Sequence, residues 1–430
     1  MGTSSAVYAP NAGPPTQPEG NQEPTPQRLT RVGLTRAVAL ALASVFLVVV
    51  LSLLRWNAPG IHAYPDTTWY VRNALLMRGW DQADADHEAA VLRCSYWVQP
   101  ALSFAKQAEC AQDAGELLHS PPRYEEIFAA RPGYPIILAP LSALLGRQGF
   151  VVATLIVAVL DGILIMVVVR LLGGTWSEQL VAGGAFLLLP SGFWSTRLLS
   201  DGTMLAGLLV AVCGAILLQR GTRRAGVALI LTGLGAVFVT KSANLLGLGL
   251  ALLASGAAIA WVARGPTRRN GYLLAGLSST ALPLAAASGI VLGWPGLGTS
   301  VQDMLTDHFL RPDVPDPLSS LGRANLQFWP DVFGQWLHSP VLVLGSLAAL
   351  VWLAVRLRMA SIPVILAGLS GIPLLVVHPV VTEWDRLLVP IWVPVAVAIG
   401  LSLPAFVAGR LDFVSSQLRQ LSSSHRLRER

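Results

Sequence analysis

The chain has 430 residues, of which 53% are apolar and only 13% are charged. Soluble globular proteins contain about 25% charged residues, so this composition excludes a disordered chain or an ordinary soluble enzyme and predicts an all-α polytopic membrane protein. The formal net charge of +6 could indicate nucleic-acid binding. However, the basic residues fall where membrane topology would place them, so no nucleic-acid partner is expected.

The amino-terminal segment is predicted to be a disordered cytoplasmic tail followed by a membrane anchor. Residues 1–32 are rich in proline and polar residues and cannot bury enough apolar surface to fold. An uncharged stretch follows at 37–54, directly before Arg55-Trp56-Asn57. These three residues offer no small-x-small cleavage site, so the stretch is interpreted as an uncleaved anchor rather than a signal peptide.

Membrane spans are predicted from length, because a transmembrane helix needs about 20 largely apolar residues. The apolar segment 132–145 is too short to cross the membrane, so it is expected to lie at the interface or to re-enter. If it did cross, the number of spans would be eleven. Two long polar segments, 55–131 and 293–338, interrupt the series. The ten predicted spans are 37–54, 149–169, 179–194, 198–218, 225–240, 242–263, 271–292, 339–355, 359–381 and 387–407.

The distribution of charge predicts the orientation of these spans. If the amino terminus is cytoplasmic, the inner segments hold 17 of the 30 basic residues but 5 of the 24 acidic ones. This bias satisfies the positive-inside rule. Both long polar segments would then be external loops, and the basic tail 408–430 would be cytoplasmic. We therefore expect a multi-pass protein of the cell membrane around a transmembrane domain over 33–407.

The cysteines and histidines provide no motif for a bound metal or redox centre. Cys94 and Cys110 lie in the same predicted external loop and could pair in an oxidising compartment, whereas Cys213 lies in an apolar run. The seven histidines show no i, i+4 pairing. No cofactor is expected, and a divalent cation, although left open, has no ligand motif to support it.

Charged residues gather at the predicted outer ends of the spans. Such residues are costly at membrane depth and usually have a function, although a charge at a membrane edge can also simply extend into water. Asp66, just after Pro65, opens the first external loop, and it could alternatively cap a helix. The span ends carry Asp201, Lys241, Glu383, Asp385 and Arg386.

The order of these motifs resembles the GT-C superfamily of integral membrane glycosyltransferases, particularly the bacterial relatives of protein mannosyltransferases and aminoarabinose transferases. The resemblance covers about 37–407. It departs where the superfamily has T/S-E-P, here Ser-Asp-Gly, and where it has R-Y/F, here Arg386-Leu387. The matching segments are Tyr64-Pro-Asp66-Thr-Thr-Trp-Tyr70, Arg131-Pro-Gly-Tyr-Pro135, Ser200-Asp201-Gly202, Thr240-Lys241-Ser242 and Glu383-Trp-Asp385-Arg386.

This resemblance implies a GT-C-like fold and transfer of a sugar from a polyprenyl phosphate to an external glycan, lipid or protein acceptor. Asp66 would be the general base, with Asp201 as a second catalytic carboxylate. Cationic side chains would bind the departing phosphate. Glu383 and Asp385 could instead hold Arg386 as ion-pair partners. The residues assigned to substrate binding are Arg131, Lys241, Glu383, Asp385, Arg386 and Tyr70.

Two other functions are consistent with part of the sequence. A transporter or lipid flippase would predict internal repeats with helices broken at mid-membrane, and no convincing repeat relates 37–218 to 225–407. A non-catalytic scaffold that presents the 55–131 loop would not require Lys241 and Arg386 beside acidic residues. The transporter is therefore the main alternative to a glycosyltransferase.

Overall fold

The computed structural model describes residues 31–97, 104–118 and 120–404, and all regular secondary structure in these ranges is helical. The all-α prediction is therefore confirmed for this part of the chain. Of the predicted amino-terminal tail 1–32, only the last two residues lie within the described ranges, where they begin the first helix. The predicted tail 408–430 lies outside the described residues.

Most helices are separated by short turns. The helices of the first half are α1 (Arg31–Asn57), α2 (Pro65–Met77), α3 (Gln82–Trp97), α4 (Phe104–Leu117), α5 (Pro122–Ala129), α6 (Gly133–Leu145), α7 (Arg147–Leu171), α8 (Trp176–Leu188), α9 (Pro190–Ser195) and α10 (Asp201–Gln219). Those of the second half are α11 (Arg223–Thr240), α12 (Ser242–Val262), α13 (Gly265–Ser279), α14 (Ala281–Val291), α15 (Leu297–Leu305), α16 (Pro317–Leu337), α17 (Pro340–Leu357), α18 (Ile362–Gly368), α19 (Ile372–Val377) and α20 (Trp384–Leu387). Three 3-10 turns lie at Arg358–Ser361, Leu369–Gly371 and Val389–Ile391.

Within the described ranges, seven helical segments are long and apolar enough to cross a membrane. This architecture is compatible with a polytopic membrane protein, as the composition predicted. The number of crossings and their orientation stay predictions. The seven segments are Val38–Asn57, Arg147–Leu171, Asp201–Gln219, Arg223–Thr240, Ser242–Val262, Gly265–Val291 and Pro340–Val377.

Four of the ten predicted spans take a different form in the structure. The predicted span 179–194 is divided between α8 and α9, because Leu189 is extended before Pro190. The predicted spans 339–355 and 359–381 lie in one helical stretch, interrupted at Arg358, whose φ of 47° an α-helix does not allow. The predicted span 387–407 corresponds to a shorter apolar helix over Val389–Pro404.

The predicted external loops are largely helical. The segment 55–131 contains α2 to α5, and the buried guanidinium of Arg72 links α2 to α3 and α5. Its Nε lies 2.7 Å from Asp86 Oδ1, and its Nη1 lies 2.6 Å from Glu125 Oε1. The segment 293–338 contains α15 and α16. Beyond the first of these segments, the short apolar helix α6 makes an angle of 76° with α5, the geometry of a broken span or a re-entrant loop.

A disulfide bond joins Cys94 in α3 to Cys110 in α4, with 5.8 Å between the two Cα atoms. We expect mass spectrometry of non-reduced peptides to recover the two cysteines in one cross-linked species, because the enclosing segment is predicted to face an oxidising compartment. Cys213, which is free and buried, is the internal control. Alkylation of both Cys94 and Cys110 before reduction would contradict the bond.

Helices α10 and α11 pack through small residues that allow their backbones to approach closely. A Cβ atom added at Gly233 in α11 would lie 2.5 Å from both the Ala211 amide nitrogen and the Gly207 carbonyl oxygen of α10. Close packing of small residues is a common way for membrane helices to associate. It positions α10, which begins at the candidate site, against α11, which ends there.

Replacing Gly233 by leucine is expected to destabilise the protein by about 1–3 kcal/mol or more, because backbone atoms cannot give way to the new side chain. Thermal unfolding in detergent, followed by a fluorogenic thiol reagent that reaches buried Cys213 on unfolding, measures the effect. Gly235→Leu is the matched control, since a Cβ at Gly235 meets no atom within 4 Å. Equal melting temperatures for the two variants would contradict this packing.

Candidate functional site

Four charged side chains meet where helices begin or end. Asp66 lies in the first turn of α2, behind Pro65, which is preorganised for a helix start. Asp201 is the first residue of α10. Lys241, with φ −160° and ψ 79°, separates α11 from α12. Arg386 lies in the short helix α20. Residues far apart in sequence are therefore placed at adjacent helix ends.

These side chains form one continuous ion-pair network. Asp201 accepts from Lys241 Nζ at Oδ1, at 2.8 Å, and from Arg386 Nε at Oδ2, at 2.9 Å. The other end of the Arg386 guanidinium, Nη2, donates to Asp66 Oδ2 at 2.7 Å. The Asp201 side chain is 0% exposed, whereas that of Asp66 is 18% exposed. Arg386 is therefore the bridge between a fully buried carboxylate and an accessible one.

The network opposes the effect of burial on both cations, only in part for Lys241 and fully for Arg386. Burial lowers the pKa of Lys241, and the neighbouring Asp201 acts in the opposite direction. Burial alone would also lower the pKa of Arg386, but Asp201 and Asp66 together raise it well above the ordinary value. Arg386 consequently stays charged. Asp201, predicted as a second catalytic carboxylate, is fully buried and does not line the cavity described below; it contacts the two cations there.

Tyr70 and Arg131 lie beside the network. The Tyr70 hydroxyl is buried within hydrogen-bond distance of Ser200 Oγ, at 2.8 Å, and it also hydrogen-bonds the Arg131 guanidinium. Burial raises the pKa of Tyr70. Both residues were predicted to bind substrate, but Arg131 lines the cavity described below and Tyr70 does not.

Neither Glu383 nor Asp385 is an ion-pair partner of the Arg386 guanidinium. Glu383 Oε2 lies 3.5 Å from His378 Nε2. Burial would raise the pKa of Glu383, but His378 and Arg386 lower it to about 2. Asp385 accepts from the backbone N–H of Arg386 at 2.9 Å, and burial raises its pKa. The suggested role of these acids as clamps on Arg386 is therefore filled by Asp66 and Asp201.

A cavity of about 100 Å³ opens onto this network. A second cavity of about 340 Å³ lies between α12, α14 and the segment that begins α15. The two share Ala243, Leu297 and Ser300 in their linings, and the second is otherwise mainly apolar. The polar residues of the first are Asp66, Arg131, Lys241, Asn244, Ser300, Asp303, His378, Glu383 and Arg386.

Several polar residues of the cavity were not predicted from the sequence. Asn244 lies in the first turn of α12. Its position three residues after Lys241 could have indicated from the sequence that it lies at the site. Asp303 Oδ1 lies 3.0 Å from His308 Nδ1, and this hydrogen bond raises the pKa of His308. The search for histidine pairs at i, i+4 could not reveal it, because His308 pairs with a carboxylate five residues away, as His378 does with Glu383.

The described part of the chain contains no group of three His, Cys, Asp or Glu side chains placed to hold a metal ion. The candidate site consists of paired carboxylates and cations beside an apolar cavity. Comparison of the chain with protein-family models, curated proteins and solved structures gave no match.

Proposed function

We propose that this protein is a membrane glycosyltransferase that moves a sugar from a polyprenyl phosphate to an acceptor outside the cytoplasm. The observation that carries the proposal is the ion-pair network on a cavity that shares Ala243, Leu297 and Ser300 with an apolar one. A donor of this class has both a phosphate and a long apolar chain. It therefore needs cations and apolar walls next to each other.

The cations provide the phosphate subsite of this proposal. Arg131, Lys241 and Arg386 all line the smaller cavity. Negative charge grows on the phosphate oxygens as the bond to the sugar breaks, so fixed cations stabilise the transition state more than the bound donor. The polyprenyl chain would lie along the apolar cavity between α12 and α14.

Asp66 is the proposed general base. Its contact with Arg386 uses Oδ2, and among the described residues no hydrogen bond reaches Oδ1. In the proposed displacement, an acceptor hydroxyl or amine forms a bond to the anomeric carbon while the bond from that carbon to the phosphate oxygen breaks. The acceptor proton passes to Asp66, and the electron pair of the broken bond leaves on the polyprenyl phosphate. The configuration at the anomeric carbon is inverted.

The test is an Asp66→Asn variant assayed with a panel of radiolabelled polyprenyl phosphate sugars and membrane fractions as the acceptor. We expect the unaltered protein to transfer label from at least one donor, and the variant to be about 10²-fold slower or more, as for loss of a general base. Asp81→Asn is the matched control, because Asp81 is exposed in the same predicted loop.

Two results would contradict the proposal in different ways. Full transfer by Asp66→Asn would remove Asp66 as the base and leave the enzyme class intact. Transfer from none of the donors by the unaltered protein would refute the glycosyltransferase and favour a transporter or flippase.

A further inference from the structure

A separate cavity of about 340 Å³ lies at the far end of α10 from the ion-pair network. The 19 residues of α10 rise about 28 Å from Asp201 to Gln219, close to the thickness of the hydrocarbon layer. The cavity is thus about one membrane thickness from the candidate active site. It lies between the ends of α7, α10 and α17 and the beginning of α13.

The walls of this cavity are apolar and its edge is basic. Six of the ten lining residues are apolar: Leu171, Leu172, Ile216, Leu357, Met359 and Ala360. Two arginines, one following α10 and one following α17, are exposed at the cavity, and neither has an acidic partner among the described residues. These two are Arg220 and Arg358.

One further donor at the cavity has no partner. The side-chain nitrogen Nε2 of Gln219 is buried and makes no hydrogen bond to any part of the chain that the structure describes. An arginine at a helix end can simply offset the helix dipole. That role would explain neither an open cavity nor a buried amide donor beside it, because a buried donor without an acceptor is destabilising.

We propose that this cavity binds an anionic phospholipid, with the phosphate between Arg220 and Arg358 and an acyl chain along the leucine-lined wall. The Gln219 amide would donate to a headgroup oxygen. Guanidinium groups match phosphate oxygens well, and a basic pocket between membrane helices is suited to an acidic lipid headgroup. The apolar walls favour a lipid over a free phosphate, which has no part to bury. The inference is independent of the proposed glycosyl transfer.

The test uses the full chain in a neutral detergent, titrated with short-chain phosphatidylglycerol, while the thiol reagent on Cys213 reports the melting temperature. A ligand that binds the folded state raises the melting temperature with a concentration dependence that gives its affinity. We expect phosphatidylglycerol to stabilise the protein, and phosphatidylcholine of equal chain length and glycerol 3-phosphate not to. Stabilisation by glycerol 3-phosphate at similar affinity would overturn the proposal, because it would show that the site binds a free phosphate compound and not a lipid.

Substitutions then locate the site. The double variant Arg220→Gln with Arg358→Gln should bind phosphatidylglycerol about 30-fold more weakly, which is about fivefold for each charge. Gln219→Leu should weaken binding about fivefold. Arg224→Gln removes an exposed arginine that does not line the cavity and should leave affinity unchanged. Unchanged affinity in the double variant, or an equal loss in Arg224→Gln, would overturn the proposal.

Discussion

Replacing Asp201 by leucine is expected to lower the free energy of unfolding by about 3–5 kcal/mol. The substitution leaves Lys241 and one side of the Arg386 guanidinium buried without the carboxylate that now contacts both, at 2.8 and 2.9 Å. An unpaired buried charge has lost its hydration without gaining an ion pair that compensates for the loss. Thermal unfolding reported by the Cys213 thiol provides the measurement.

The chain contains a matched control for this loss. Arg123 and Asp313 form an ion pair of similar length, 2.7 Å, but both side chains are nearly half exposed. Asp313→Leu should therefore cost about 1 kcal/mol or less. Combining Asp201→Leu with Lys241→Met should restore part of the lost stability, because one of the two stranded cations is removed. Equal destabilisation by Asp201→Leu and Asp313→Leu would contradict the buried network.

Replacing Arg386 by glutamine is expected to reduce sugar transfer by about 10²–10³-fold, the usual effect of removing one preorganised electrostatic contact to a transition state. Arg386 is the only described residue that forms an ion pair with both Asp66 and Asp201. Its loss would remove a cation from the phosphate subsite and free Asp66 from its position. The assay with labelled polyprenyl phosphate sugars measures the change.

A lysine at the same position separates charge from geometry. Arg386→Lys keeps the positive charge, but one ammonium group cannot reproduce the two separate contacts of Nε and Nη2. We therefore expect a substantial loss of transfer in this variant as well. Arg323→Gln is the control, since Arg323 is exposed in α16 and, within the described ranges, hydrogen-bonds only to Ser319 and Ser320. Full transfer by Arg386→Lys in folded protein would show that positive charge alone suffices.

The boundaries of several helices could be predicted from the sequence, because hydropathy is a local property. The predicted spans 225–240 and 242–263 differ from α11 and α12 by two residues or fewer at each end. Lys241, the single charged residue between them, marked the break. The arrangement of the polar segments was not predictable in this way, since α2 to α5 have no long apolar stretch.

The charged residues of the candidate site were also visible in the sequence, because a charge beside a long apolar run is conspicuous. The sequence did not reveal which of these charged residues pair with one another. Several acids and bases stand at helix ends, and composition alone does not distinguish Asp201 from Glu383 as the partner of Arg386. Hydropathy and charge count are read one short segment at a time, whereas an ion pair depends on distances across the whole fold.

The sequence by itself predicted apolar, helical spans with charged residues at their outer ends. The tertiary structure decided that Asp201, 185 residues from Arg386, contacts it, while Glu383, three residues away, pairs with His378. It also left Tyr70 out of the cavity that Arg131 lines, and it separated α8 from α9 at Pro190. The physical reason is that local hydrophobicity favours a helix wherever it occurs, but close packing of those helices selects which few of many possible charged contacts can form.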